Sequence, residues 1–162
     1  MACDKVPKII ELDDYGGEYQ PYEDAVYNVY QESFESKQFF YNGKRIAHKR
    51  YPMYKGKSGT FWHIISSGEA EADRLPDLRR YERVSWAAFI LGYCCDNCDK
   101  ILEWRNERKG KKRILLWCRD IDYVVILDDR DEYYIFWTAY PVTYGHTRKK
   151  LYREYSEYIK NR

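Results

Sequence analysis

Residues 101–140, ILEWRNERKG KKRILLWCRD IDYVVILDDR DEYYIFWTAY, decide the fold. Four apolar segments, ILEWRN (101–106), KRILLWC (112–118), IDYVVIL (121–127) and YYIFWTAY (133–140), are short and rich in β-branched and aromatic residues, as strands are. RKGK, Arg119-Asp120 and DDRDE separate them, and links that short and polar predict a four-stranded antiparallel meander. After Pro141, Tyr144, Leu151, Tyr155, Tyr158 and Ile159 recur at helical spacing beside a basic face, which predicts a C-terminal helix.

Upstream, Tyr22, Val26, Val29, Tyr30 and Phe34 keep helical spacing, predicting a helix from Tyr22 to about Lys37 with Pro21 at its start. Asn42-Gly43 supplies the positive-φ pair of a tight turn, so strands are expected on both sides of it. KGKSG (55–59) reads as a flexible basic loop and TFWHIIS (60–66) as a strand, ended by Ser67-Gly68. LPDLRRYERVSWAAFILGY (75–93) reads as helix, with Ser85 placed to cap a second segment if the helix breaks. The fold class expected is α+β, N-terminal helices followed by the meander and the C-terminal helix, in one domain of 162 residues.

The formal net charge of +2 hides a segregation. Residues 1–40 hold Asp4, Glu11, Asp13, Asp14, Glu18, Glu23, Asp24, Glu32 and Glu35 against Lys5, Lys8 and Lys37. Residues 41–66 hold Lys44, Arg45, Lys49, Arg50, Lys55 and Lys57 with no acid. A second basic tract, Arg148 to Arg162, closes the chain, and two such tracts suit an anionic ligand or simply form solvated faces. The N-terminus has no basic start followed by a long apolar run, and no stretch reaches the roughly 20 apolar residues of a membrane span, so a cytoplasmic location without membrane association is expected. Five cysteines without framework spacing predict reduced thiols. Cys95 and Cys98 stand at C-x-x-C spacing, but no second ligand pair accompanies them, so neither a metal site nor a cofactor is expected.

Three histidines, His48, His63 and His146, are the groups whose unperturbed pKa suits proton transfer near neutrality, and two of them fall in the first basic tract. Metal-free cleavage of an RNA phosphodiester needs a base for the 2′-OH, an acid for the 5′-oxygen and donors for the phosphate charge. His63, with His48 competing, and Arg113 meet the catalytic needs, while Lys49, Arg50, Lys55 and Lys57 suit phosphate binding. Thr138 and Tyr140, two apart on the last strand, share one face, where both hydroxyls reach one ligand. The same His63 on an apolar strand face also reads as a buried, hydrogen-bonded side chain.

KRIAHKRYPMYKGKSGTFWHIIS from Lys44, RLPDLRRYERVSW, KKRILLWCRDIDYVVIL and YYIFWTAYPV together resemble phage-type members of the barnase, EndoU, colicin E5/D and RelE-like (BECR) nuclease superfamily over roughly residues 40–160. TAYP, Thr138 to Pro141, is similar to a last-strand motif of bacterial toxin RNases of this group, and FWH, Phe61 to His63, supports it more weakly. The resemblance implies a toxin-like endoribonuclease that needs no metal and cuts RNA by 2′-OH transesterification, with a cognate antitoxin or immunity protein as a further partner. It assigns His63 to the histidine position, Thr138 and Tyr140 to the hydroxyl pair, and residues 41–162 to the nuclease domain. The acidic segment 1–40, with its helix, falls outside the match and either covers the basic site or is a mobile extension. The alternative is a non-catalytic phage-type protein that uses the same face to bind RNA or to inhibit a host protein.

Overall fold

A computed structural model describes residues 6–68, 74–94 and 100–162. The meander is present as β5 (Ile101–Arg108), β6 (Lys111–Cys118), β7 (Tyr123–Asp129) and β8 (Tyr134–Pro141), each antiparallel to the next. It is part of a larger sheet. The Asn42-Gly43 hairpin, β1 (Phe39–Tyr41) and β2 (Lys44–Ala47), joins it through a parallel pairing of β2 with β8, giving the order β1-β2-β8-β7-β6-β5. Asn42 and Gly43 have φ of 50° and 77°, the left-handed pair that the turn requires. The expected four strands are therefore six, because hairpin register could not be extrapolated to a partner so distant in sequence.

Apolar runs rather than alternation in β6 and β7 have a structural cause: both faces are covered. Ile114, Leu116, Tyr123, Val125 and Leu127 face the larger core. Leu115, Trp117 and Val124 face a smaller one closed by the C-terminal helix, whose Leu151 is buried there. That helix, α5 (Gly145–Lys160), is tied to β5 by Glu154, which accepts from the Trp104 indole at 3.0 Å and pairs with Arg108 at 3.1 Å.

The first helix, α1 (Tyr19–Tyr30), continues into a π-helical turn, Gln31–Glu35. Its Tyr22, Val26, Tyr30 and Phe34 lie in the larger core, and Phe34 stacks against Tyr30, Phe39 and Phe136 at centroid distances of 5.7, 5.2 and 4.8 Å. The acidic segment is thus built into the domain rather than appended to it. Residues 60–66 are not a strand. Residues 60–65 belong to α2 (Gly59–Ile65), whose N-cap Ser58 accepts from the Phe61 N–H and whose Phe61, Ile64 and Ile65 are buried at helical spacing, and only Ser66 is in a strand. Composition favoured a strand, but the cap and the burial period overrule it.

Residues Ser66–Ser67 (β3) and Leu75–Pro76 (β4) form a two-residue antiparallel pair after α2. The helix read over 75–93 breaks, with Ser85 at the start of the second segment, into α3 (Leu78–Glu82), α4 (Trp86–Phe89) and a π-helical turn, Ile90–Cys94. Asp77 caps α3 by accepting from the Arg79 N–H, and the bend at Arg83 lets Tyr81 and Trp86 both reach the core. Ser85 stands at the N-cap of α4 without a side-chain cap bond. Among the described residues no helix is long and apolar enough to cross a membrane.

Because the α1 stack is shared with β1 and β8, Phe34→Ala is expected to cost about 3–5 kcal/mol of stability in denaturant unfolding. A chain starting at residue 38 is expected to show no cooperative transition; a normal melt for that shortened chain would separate the acidic segment from the domain.

Candidate functional site

The parallel pairing of β2 with β8 covers only Ile46↔Tyr134 and Ala47↔Ile135. Beyond it β8 meets α2 and α3 instead of a strand. At the same level the β7–β8 register shifts, with Ile126 opposite Thr138 and Leu127 opposite Phe136, so Trp137 is the extra residue of a bulge. A bulge re-aims its side chain. The Trp137 ring meets His63 of α2 at 5.1 Å, and the Arg113 guanidinium lies 4.2 Å from its centroid. The ammonium groups of Lys49 and Lys111 approach the same ring at 5.6 and 5.7 Å.

His63 and Trp137 line a cleft of about 780 Å³. Tyr51, Tyr54 and Trp62 also line it, as do Tyr19 and Glu23 of α1. Lys49, Lys55 and Arg74 bring positive charge to the same walls. Glu23 is 6% exposed, and its carboxylate accepts from the Tyr81 hydroxyl at 2.6 Å. Burial, and then that bond, hold the Tyr81 phenol in its neutral form well beyond the usual phenol range.

Two arginines stand beside His63 for a structural reason. The last carbonyls of a short helix need donors, and Arg74 donates to the His63 carbonyl while Arg80 donates to that of Ser66, both at 2.7 Å. Their charges then act on the imidazole. Burial, followed by the repulsion of Arg74, Arg80, Lys49 and Arg113, pushes His63 down to about 4. Burial and these charges favour the neutral ring at physiological pH, and its Nδ1 is buried without a hydrogen-bond partner.

The hydroxyl pair is placed on one face, as the alternation of β8 predicts: Thr138 lies opposite Ile126 and Tyr140 opposite Val124. The Thr138 hydroxyl is buried without a partner, and Arg80 lies 5.2 Å over the Tyr140 ring. Burial raises the Tyr140 phenol, keeping it a donor. Neither Thr138 nor Tyr140 lines the cleft that His63 lines, and Thr138 makes no hydrogen bond to His63. Arg113 is at the site, paired 3.3 Å from Asp128.

Other expected residues are elsewhere. His48 packs edge-on against Phe34 at 5.5 Å and is lowered by burial; it does not line the cleft. Arg50 contributes its backbone, accepting from the Gly59 N–H, and its side chain is exposed outside the cleft. Lys57 is 8% exposed, bonded to Asp24 at 3.0 Å and held over the Tyr27 ring, which removes it from the expected phosphate binders. Lys55 is exposed and lines the cleft. Cys3, Cys95 and Cys98 lie outside the described residues. Sequence reasoning missed Arg74, Arg80, Lys111, Trp137 and the aromatic side of the cleft; only the Tyr51–Tyr54 spacing beside Lys49 signalled any of them.

No family model, curated protein or solved structure matches the chain.

A histidine lowered in the folded state favours folding in its neutral form. Its stabilising effect is complete above the ordinary value of 6.5 and is lost as pH falls toward about 4. The His63 ring protons are expected to titrate with a midpoint near 4 by NMR, and His63→Gln to flatten part of the fall in melting temperature over that window. A midpoint near 6.5 contradicts the placement of the ring.

Proposed function

We propose that the protein binds RNA in the cleft and cuts it without a metal, with His63 as the group that moves the proton. The observation that carries this reading is an imidazole in the lining of an aromatic cleft, among the cations Lys49, Arg74, Arg80 and Arg113. Cations so grouped repel one another and the ring, and a phosphodiester placed among them relieves that repulsion. The imidazole takes the 2′-OH proton, the 2′-oxygen attacks phosphorus, and the P–O5′ bond breaks. The 5′-oxygen leaves protonated by Lys49 or water, giving a 2′,3′-cyclic phosphate and a 5′-hydroxyl. Lys49 and Arg113 face the charge that develops on the phosphoryl oxygens, and the unpartnered Thr138 hydroxyl is a donor near the same strand position. The toxin-like use and the inhibitor partner implied by resemblance belong to the same proposal.

A second reading, binding of RNA without cleavage, is favoured by one observation. A base near 4 is weak at neutral pH, and neither other imidazole joins it: His48 packs on Phe34, and His146 stacks on Tyr144 at the start of α5.

Incubation of the protein with RNA in EDTA separates the two. Cleavage predicts fragments ending in 2′,3′-cyclic phosphate, a fall on the order of 10²-fold or more in His63→Gln with RNA affinity retained, and an acid limb of kcat/KM near pH 4 rather than 6.5. Retained affinity with no fragments from the parent protein supports the binding reading instead.

A further inference from the structure

The loop between β2 and α2 displays three large apolar side chains to solvent within four residues: Tyr51 is 71% exposed, Met53 43% and Tyr54 60%. Such exposure costs solvation free energy unless something covers it. The loop is also held in shape. Tyr54 and Lys57 exchange two backbone hydrogen bonds of 3.0 Å across Lys55 and Gly56, whose φ values of 51° and 74° make a tight turn rather than a flexible tether. At its base, Gly59 donates to Arg50 and Thr60 to Lys49, both at 2.9 Å. A Cβ on Gly59 would meet the Pro52 carbonyl oxygen at 3.0 Å, so the approach of the two strands of the loop depends on that glycine.

Trp62 fixes the aromatic arrangement. Its indole N–H donates to the Tyr54 carbonyl at 2.8 Å, and its ring meets the Tyr54 ring edge-on at 5.5 Å. Lys57, bonded to Asp24, ties the turn to α1. The remaining charges of the loop are positive: Lys55 lies 5.4 Å over the Tyr54 ring, Lys49 stands between the loop and Trp137, and residues 41–66 contain no acid. A ligand that matches exposed rings interleaved with cations carries flat aromatic faces joined by anionic links. A single nucleic-acid strand has that chemistry, whereas a duplex keeps its base faces stacked on one another.

Building on the RNA reading of the cleft, we infer that Tyr51 and Tyr54 form a stacking platform for unpaired bases beside the phosphate at His63, which restricts the protein to single-stranded RNA. Base stacking on aromatic side chains is sequence-tolerant, so the platform selects strandedness rather than sequence.

The test uses a short fluorescent 2′-O-methyl oligoribonucleotide, which has no free 2′-hydroxyl to attack, alone and annealed to its complement, with binding read by anisotropy at one salt concentration. The single strand is expected to bind at least about 10-fold more tightly than the duplex. Tyr51→Ala and Tyr54→Ala are each expected to weaken it by on the order of 10-fold, and the Phe variants to retain it, since stacking needs the ring and not the hydroxyl. Equal affinity for the duplex, or Ala variants that bind like the parent, overturns the inference. So does an acidic peptide that binds in a Tyr51- and Tyr54-dependent way while the oligonucleotide does not. A parent protein that cuts single strands and duplexes alike refutes the platform and leaves the His63 reaction standing. Selective binding with no cleavage of natural RNA supports the platform and removes the reaction.

Discussion

The two-residue parallel pairing between β2 and β8 is the constraint on which the rest of the site depends. Had β2 continued along β8, the edge of that strand beyond Ile135 would be covered by backbone, and no side chain from α2 could meet Trp137. Because it stops, the chain leaves the sheet at Ala47, turns through the aromatic loop and returns as α2 against the vacated edge. The bulge at Trp137 completes the junction, since an unshifted register would give that residue a ladder partner on β7. Fold and site share one irregularity.

Electrostatics at this junction follows from helix ends as much as from ligand chemistry. Arg74 and Arg80 satisfy carbonyls at the C-terminus of α2, and a charge-assisted hydrogen bond is typically worth about 1.5–3 kcal/mol. The same charges depress the neighbouring imidazole. These two arginines are therefore structural residues first, and their influence on His63 is a consequence of where a seven-residue helix ends. Lys49 and Lys111, gathered on the Trp137 ring, have no such backbone duty for their ammonium groups in the described contacts. What holds them there is the face of the indole ring.

The meander, the Asn42-Gly43 hairpin and the C-terminal helix were legible because their signals are local: apolar runs, a positive-φ turn pair, a 3.6-residue period. Helix α2 was not, because Thr60, Phe61, Ile64 and Ile65 have strand-like composition, and the deciding feature is one hydroxyl, Ser58, capping Phe61. Lys57 read as a ligand-binding cation because charge alone is visible in sequence; its burial against Asp24 and Tyr27 is a tertiary fact. His63 and Arg113 drew attention through side-chain chemistry, and the structure brings both to one ring, that of Trp137, whose placement depends on a register shift between two strands that no local pattern encodes. His48, chemically equal to His63 in the sequence, is separated from it only by which way the chain leaves β2.

Strands β5 to β8 pair with their neighbours in the chain, so their contacts close short loops. The β2–β8 junction joins residues from opposite halves of the chain, and its closure costs more chain entropy. The meander is accordingly the part favoured to organise first during folding, with the N-terminal half docking onto an exposed β8 edge. Trp137, His63 and the aromatic loop come together only at that docking step, which makes the cleft the last feature of the molecule to exist and a direct reporter of complete folding.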